Sequence, residues 1–229
     1  MSKDMGYLVI VGMVAFAILL FYLQLRFDSA AARRRSERIK ATAASLGLSF
    51  TEKDDQVAQE ILANFSRANS DKDLDEYSIK AINIWRGELA GARFLTCDFK
   101  WMAGRGKNKG ILSTTLTRWQ SSDLDLPEFL LMSSEWGSEA SGFSDSELLH
   151  IAQPETFAKQ YLLAGKNESA VRALFRPEIL SYFAGHPGWT VENHGNGVII
   201  CKLYNDVKPD KLLDFLNQCE EIYRLFRKG

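Results

Sequence analysis

The 229-residue chain has three cysteines, Cys97, Cys201 and Cys219, and no CxxC pair among them. An odd, scattered count excludes the even-numbered disulfide framework of a small secreted domain and fits a reducing compartment. Each of the three lies in an apolar segment, where a free thiol behaves as a small core residue. Histidine is equally scarce: His150, His186 and His194 show no HExxH or other paired-ligand spacing, so no metal site is expected. No serine sits in a GxSxG turn and no cysteine in a nucleophile setting, which leaves no catalytic residue to name and no cofactor. Net charge is also lacking. The formal value is -1, and the basic residues cluster near the N-terminus, so the remainder is acidic and a nucleic-acid partner is excluded.

Against these absences stands GYLVIVGMVAFAILLFYLQL, Gly6 to Leu25, with no charged residue. About 20 helical residues at 1.5 Å each cross a hydrocarbon core of roughly 30 Å. A cleaved signal peptide would have a shorter apolar run behind a positive n-region, whereas Lys3 is cancelled here by Asp4. A buried core helix would show a polar face, and none is present. The expectation is therefore a transmembrane helix. Arg26, Arg33, Arg34, Arg35, Arg38 and Lys40 follow it closely, so the positive-inside rule places the body in the cytoplasm and the N-terminus outside the inner (plasma) membrane. Residues Arg33, Arg34, Arg35, Arg38 and Lys40 are candidates for contact with anionic headgroups as well as with solvent. The span has no Gly-xxx-Gly pair to mark a packed dimer.

The order of segments is a tail at 1–5, the span at 6–25, a basic juxtamembrane helix at 26–46, and an α+β domain at 47–229. Gly47 is placed to cap the stalk helix. A short helix is expected at 56–64. Alternation then predicts antiparallel strands at 79–85, 93–101 and 111–119, with Arg93, Leu95, Cys97, Phe99 and Trp101 on one side. The stretch 126–132 reads as an edge strand because Pro127 is tolerated there. Residues 135–147 form a polar loop that is the candidate division between two halves. Beyond it, 157–163 fits strand or helix. Asn167 and Pro177 begin helices, NHGNG joins a hairpin, and a final amphipathic helix starts near Pro209. Strands in runs with helices apart from them indicate an α+β fold, an antiparallel sheet packed against helices.

The segments LTRWQSSDLDLPEFLLMSSE, FAKQYLLAGKNESAVRALF and WTVENHGNGVIICK, in that order, resemble a bacterial family of single-pass membrane-anchored proteins containing a domain of unknown function. The likeness runs from about Leu46 to the end of the chain. It implies the architecture and carries no activity.

Three local features bear on function. GRGKNKG presents Arg105, Lys107 and Lys109 in a glycine-rich turn, a candidate anion- or partner-binding loop. Its glycines join two strands, and the spacing is not that of a phosphate loop. Glu192 and His194 would project from one side of a strand as a conceivable acid and base pair, more simply read as polar residues at a hairpin end. Five tryptophans line a pocket or pack the core. The leading expectation is a membrane-anchored protein-interaction module or accessory subunit. The alternatives are binding of lipid or another apolar ligand at the inner leaflet, and a membrane-tethered hydrolase.

Overall fold

The computed structural model describes residues 3–65, 79–103, 110–136, 147–193 and 197–227; within the first helix the side chains of 3–12, 15, 18, 21–25, 27 and 28 lie outside that description. Helix α1, Lys3–Ser45, is one unbroken element of 43 residues, so apolar run and basic stalk are continuous. Gly47, at φ +69°, reverses the chain. Its N–H donates to Ala44 O (3.1 Å) and the N–H of Leu48 to Ala43 O (2.9 Å), the paired bonds that close a helix C-terminus through a left-handed residue. Strand β1, Ser49–Lys53, follows at once. It was not expected from the sequence.

Helix α2, Asp55–Ala63, is capped by Asp54, whose carboxylate accepts from the N–H groups of Gln56 and Val57. Strands β2 (Lys80–Leu89), β3 (Ala92–Ala103) and β4 (Gly110–Gln120) form the expected meander. Ala90 and Gly91, both at positive φ, make the two-residue turn between β2 and β3. The rest comprises β5 (Phe129–Ser133), β6 (Leu148–Leu149), α3 (Glu155–Gln160), β7 (Tyr161–Ala164), α4 (Glu168–Leu174), α5 (Pro177–Gly185), β8 (Thr190–Asn193), β9 (Val198–Cys201) and α6 (Leu212–Arg227). The ambiguous stretch near 157–163 is thus both, helix to Gln160 and strand from Tyr161. Asn167 caps α4 by accepting from Ala170 N–H, as expected.

All described strand pairs are antiparallel, in one nine-stranded sheet of order β1-β2-β3-β4-β9-β8-β5-β7-β6. The meander ends at β4, because the β8–β9 hairpin inserts between β4 and β5. Strands from either side of residues 135–147 therefore join one sheet through the β4–β9 pairing. Strand β5 is interior, between β8 and β7, with all five residues buried, so its expected edge position is corrected. Pro127 precedes the strand and only its carbonyl is used, by Asn193 Nδ2 at 3.0 Å, so no ladder N–H is missing.

Each face of the sheet carries a core. Ile39 and Ala43 of α1, with α3 to α6, cover one face over Trp85, Phe94, Trp119 and Trp189. Val57, Ala58, Ile61 and Leu62 of α2, with Phe65, cover the other over Cys97, Phe99 and Trp101. Trp85, Trp101, Trp119 and Trp189 are at most 1% exposed and belong to these cores. In α6 the expected apolar stripe is buried except for Leu213, which faces solvent. Among the described residues no helix is long and apolar enough to cross a membrane. The span expected at Gly6–Leu25 falls mostly on side chains outside that description.

Candidate functional site at the stalk and sheet junction

Alternation along β3 sends Leu95, Cys97, Phe99 and Trp101 toward α2 and leaves Phe94 and Asp98 on the face of α1. Asp98 is 2% exposed. A carboxylate so buried is costly unless paired and hydrogen-bonded, and this one is both. Arg35 donates from Nε to Oδ2 (2.8 Å) and from Nη2 to Oδ1 (2.6 Å), a bidentate fork. Asn83 Nδ2 donates to Oδ2 (2.8 Å) and Thr115 Oγ1 to Oδ1 (2.8 Å). Asn83 sits at the register shift between Ile82 and Trp85 with φ +54°, a left-handed conformation that asparagine tolerates. The bulge turns its amide to the carboxylate.

The same cluster captures the segment before α6. Arg35 Nη1 donates to Val207 O (2.7 Å), and Val207 N–H donates to Thr115 Oγ1 (3.0 Å). Burial pulls the pKa of Arg35 down, but the hydrogen bond and charge of Asp98, with the charge of Asp206, outweigh it and leave it raised. One and two turns further on, Ile39 and Ala43 continue this face of α1 into the core. Four donors occupy the roughly four lone-pair sites of the Asp98 carboxylate, so it has no acceptor left for proton transfer. The arrangement holds the stalk to the sheet.

The sequence groups Arg35 with Arg33, Arg34, Arg38 and Lys40 as one basic surface, and the structure takes Arg35 out of it. Arg33 pairs with Glu37 at 3.0 Å on the exposed side. Arg34, Arg38 and Lys40 are exposed and have no ion-pair partner among the described residues. Asp98, Asn83 and Thr115 were missed by sequence reasoning. The available signal was the 35, 39, 43 spacing, which puts one arginine on the apolar face.

Arg105, Lys107, Lys109 and His194 lie outside the described residues, so the glycine-rich loop and the Glu192–His194 pair have no geometry to report. Glu192 itself is 1% exposed. His186 lies at the surface, its Nδ1 2.7 Å from Tyr182 O and its ring stacked on Tyr182. Among the described residues no three His, Cys, Asp or Glu side chains converge as metal ligands. On the other face a groove of about 500 Å³ is lined by Arg86, Arg93 and Arg118 with Asp54 and Glu60. Arg86 holds Asp54 (2.8 Å) and Arg118 holds Glu60 (3.2 Å), fastening α2 to the sheet. The Val57 N–H, the other amide of the cap and Arg86 together hold the Asp54 carboxyl below its ordinary pKa.

No family model and no curated protein matches this chain. A solved structure does. The fold is similar to that in the crystal structure of the mycobacterial trehalose monomycolate transport factor A, with a TM-score of 0.53 and 13% identity over 86% of this chain and 94% of that chain. At that identity the likeness shows the fold alone.

Proposed function

We propose that α1 crosses the inner membrane over Gly6–Leu25 with the N-terminus outside, and that the cytoplasmic α+β body is a protein-interaction module held in a fixed attitude to the bilayer. The observation that carries this reading is the contrast along α1. Met13, Val14, Phe16, Leu19 and Leu20 are 51–68% exposed and point to all sides of the helix, whereas Ile39 and Ala43 are buried against the sheet. Each such side chain gains about 1.5–3 kcal/mol on leaving water, and a helix apolar all round suits lipid.

Along a continuous helix, Arg34 lies about 13 Å and Lys40 about 22 Å beyond Leu25. The polar layer of a leaflet is roughly 5–8 Å deep, and screening removes most attraction beyond a further ~8 Å. Headgroup contact thus belongs to Arg26, Arg33 and Arg34, while Arg38 and Lys40 stand clear of the surface. For the alternative of an apolar ligand, the described apolar cleft bounded by Leu149, Ile151, Phe157 and Leu163 has about 140 Å³. Ligand sites usually measure ~300–1,000 Å³, so this cleft is too small for a lipid.

The test uses the full chain. It should stay in membranes through alkaline carbonate, be digested by protease added to inverted vesicles, and recover a stoichiometric partner from mild detergent. Release by carbonate, or protection of the body in inverted vesicles, contradicts the reading.

A further inference from the structure

We infer that the end of the β3–β4 hairpin, residues 102–103 and 110–112, is a second contact of the body with the bilayer, with Ile111 seated in the interface. The inference rests on the anchor proposed above. Among the large apolar side chains described, Ile111 is the most exposed, at 72%, ahead of Met13 at 68%. A lone exposed apolar residue is ordinary on a protein surface, so the weight falls on where this one sits.

The register sets its direction. The turn at Gly47 sends β1 back along α1, so Ser49 lies at the end of the helix farthest from the span and Lys53 nearer to it. Arg33, Ser36, Glu37 and Lys40 share a groove with Phe50 and Glu52, so helix and strand run side by side. Lys53 pairs with Ile82 and Ile82 with Asp98, and β3 is antiparallel to β2 as β2 is to β1. Strand β3 therefore runs toward the N-terminal end of α1, and the fork from Arg35 to Asp98 fixes the level at which it passes. Arg35 is ten residues, about 15 Å, beyond Leu25. Past Asp98, β3 advances four residues to Met102, which lies opposite Ile111. That step is about 13 Å along the strand, or about 10 Å toward the span if the strands are inclined by ~40° to the helix. Ile111 thus comes to within about 2–5 Å of the level where the apolar run ends, inside a polar layer roughly 5–8 Å deep.

Alternation puts Lys100 and Met102 on the same face of β3 as Asp98, and Lys100 is paired across the ladder with Lys80 of β2. Neither lysine has an ion-pair partner among the described residues. Their stems can lie along the leaflet while the ammonium groups reach phosphate, which zwitterionic and anionic lipids share. The occupant is the bilayer because α1 sets both levels: its apolar run fixes the plane of the leaflet, and its junction with β3 brings the hairpin end to that plane.

The experiment uses the full chain in phosphatidylcholine nanodiscs with one nitroxide, at Ile111→Cys or, at the far end of β4, at Ser122→Cys; the native thiols are buried. Collision rates with oxygen, which concentrates in lipid, and with a water-soluble nickel chelate give the depth of each label. The nickel-to-oxygen ratio should be about tenfold lower at 111 than at 122, because the polar chelate is excluded from the interface. Equal ratios overturn the proposal, and so does low collision with both reagents at 111, the sign of a protein cover. Equal ratios in a chain that alkaline carbonate does not extract remove the hairpin contact and leave the anchor; extraction by carbonate removes both.

Discussion

Asp98→Ala would leave the Arg35 guanidinium with Val207 O and the Thr115 hydroxyl as its partners, half-buried and without its counter-charge. Removing one partner of a buried pair costs about 3–5 kcal/mol; because Arg35 is 22% exposed, the expected loss is roughly 3 kcal/mol in thermal unfolding followed by tryptophan fluorescence. Arg35→Lys keeps the charge but not the fork and should cost less. A second prediction concerns pH. Burial pushes the thiols of Cys97, Cys201 and Cys219 up from 9.0, and pushes Tyr161 up from 10.0 to about 12. In each case the folded pKa lies above the unfolded one. The unfolded chain ionises first, so stability is fully present below about pH 9 and is lost as pH climbs toward the folded values. Unfolding midpoints between pH 7 and 10.5 should hold steady and then fall; a flat profile through pH 10.5 would contradict this.

At the level of elements, most of the fold was legible because its signals are local. Periodicity placed α2, the three long strands and α6, while Asn167 and Pro177 marked the starts of α4 and α5. Strand β1 was missed because five residues, SFTEK, alternate too briefly to stand out and gain their pairing only from β2. The position of β5 was misread for the opposite reason: Pro127 is a true local signal, but it lies outside the ladder. The junction was least legible. Nothing in sign or propensity separates Arg35 from its neighbours, and the burial of Asp98 depends on strands and helix that meet only in the folded chain. Gly47 gives this scale its prediction. Its φ of +69° has open space around it, so Gly47→Ala meets no atom but must adopt a left-handed conformation. The expected cost is about 1 kcal/mol, with Gly47→Asn costing less; calorimetric midpoints of the full chain would show the order.

For the whole molecule, the consequence of the insertion of β8–β9 beside β4 is that the stalk meets one continuous sheet. A force or tilt applied at α1 is transmitted through Arg35 to β3 and β4, and through Val207 to the approach to α6. The account therefore requires a stalk and body that move as one piece. The direct measurement is the distance between spin labels at Ala30→Cys on α1 and Ser122→Cys beyond β4, by pulsed electron resonance in nanodiscs; the three native thiols are buried and do not compete for label. A single narrow distance distribution is predicted, broadening in Asp98→Ala. A broad distribution in the unaltered junction, or a narrow one indifferent to Asp98→Ala, would contradict the account.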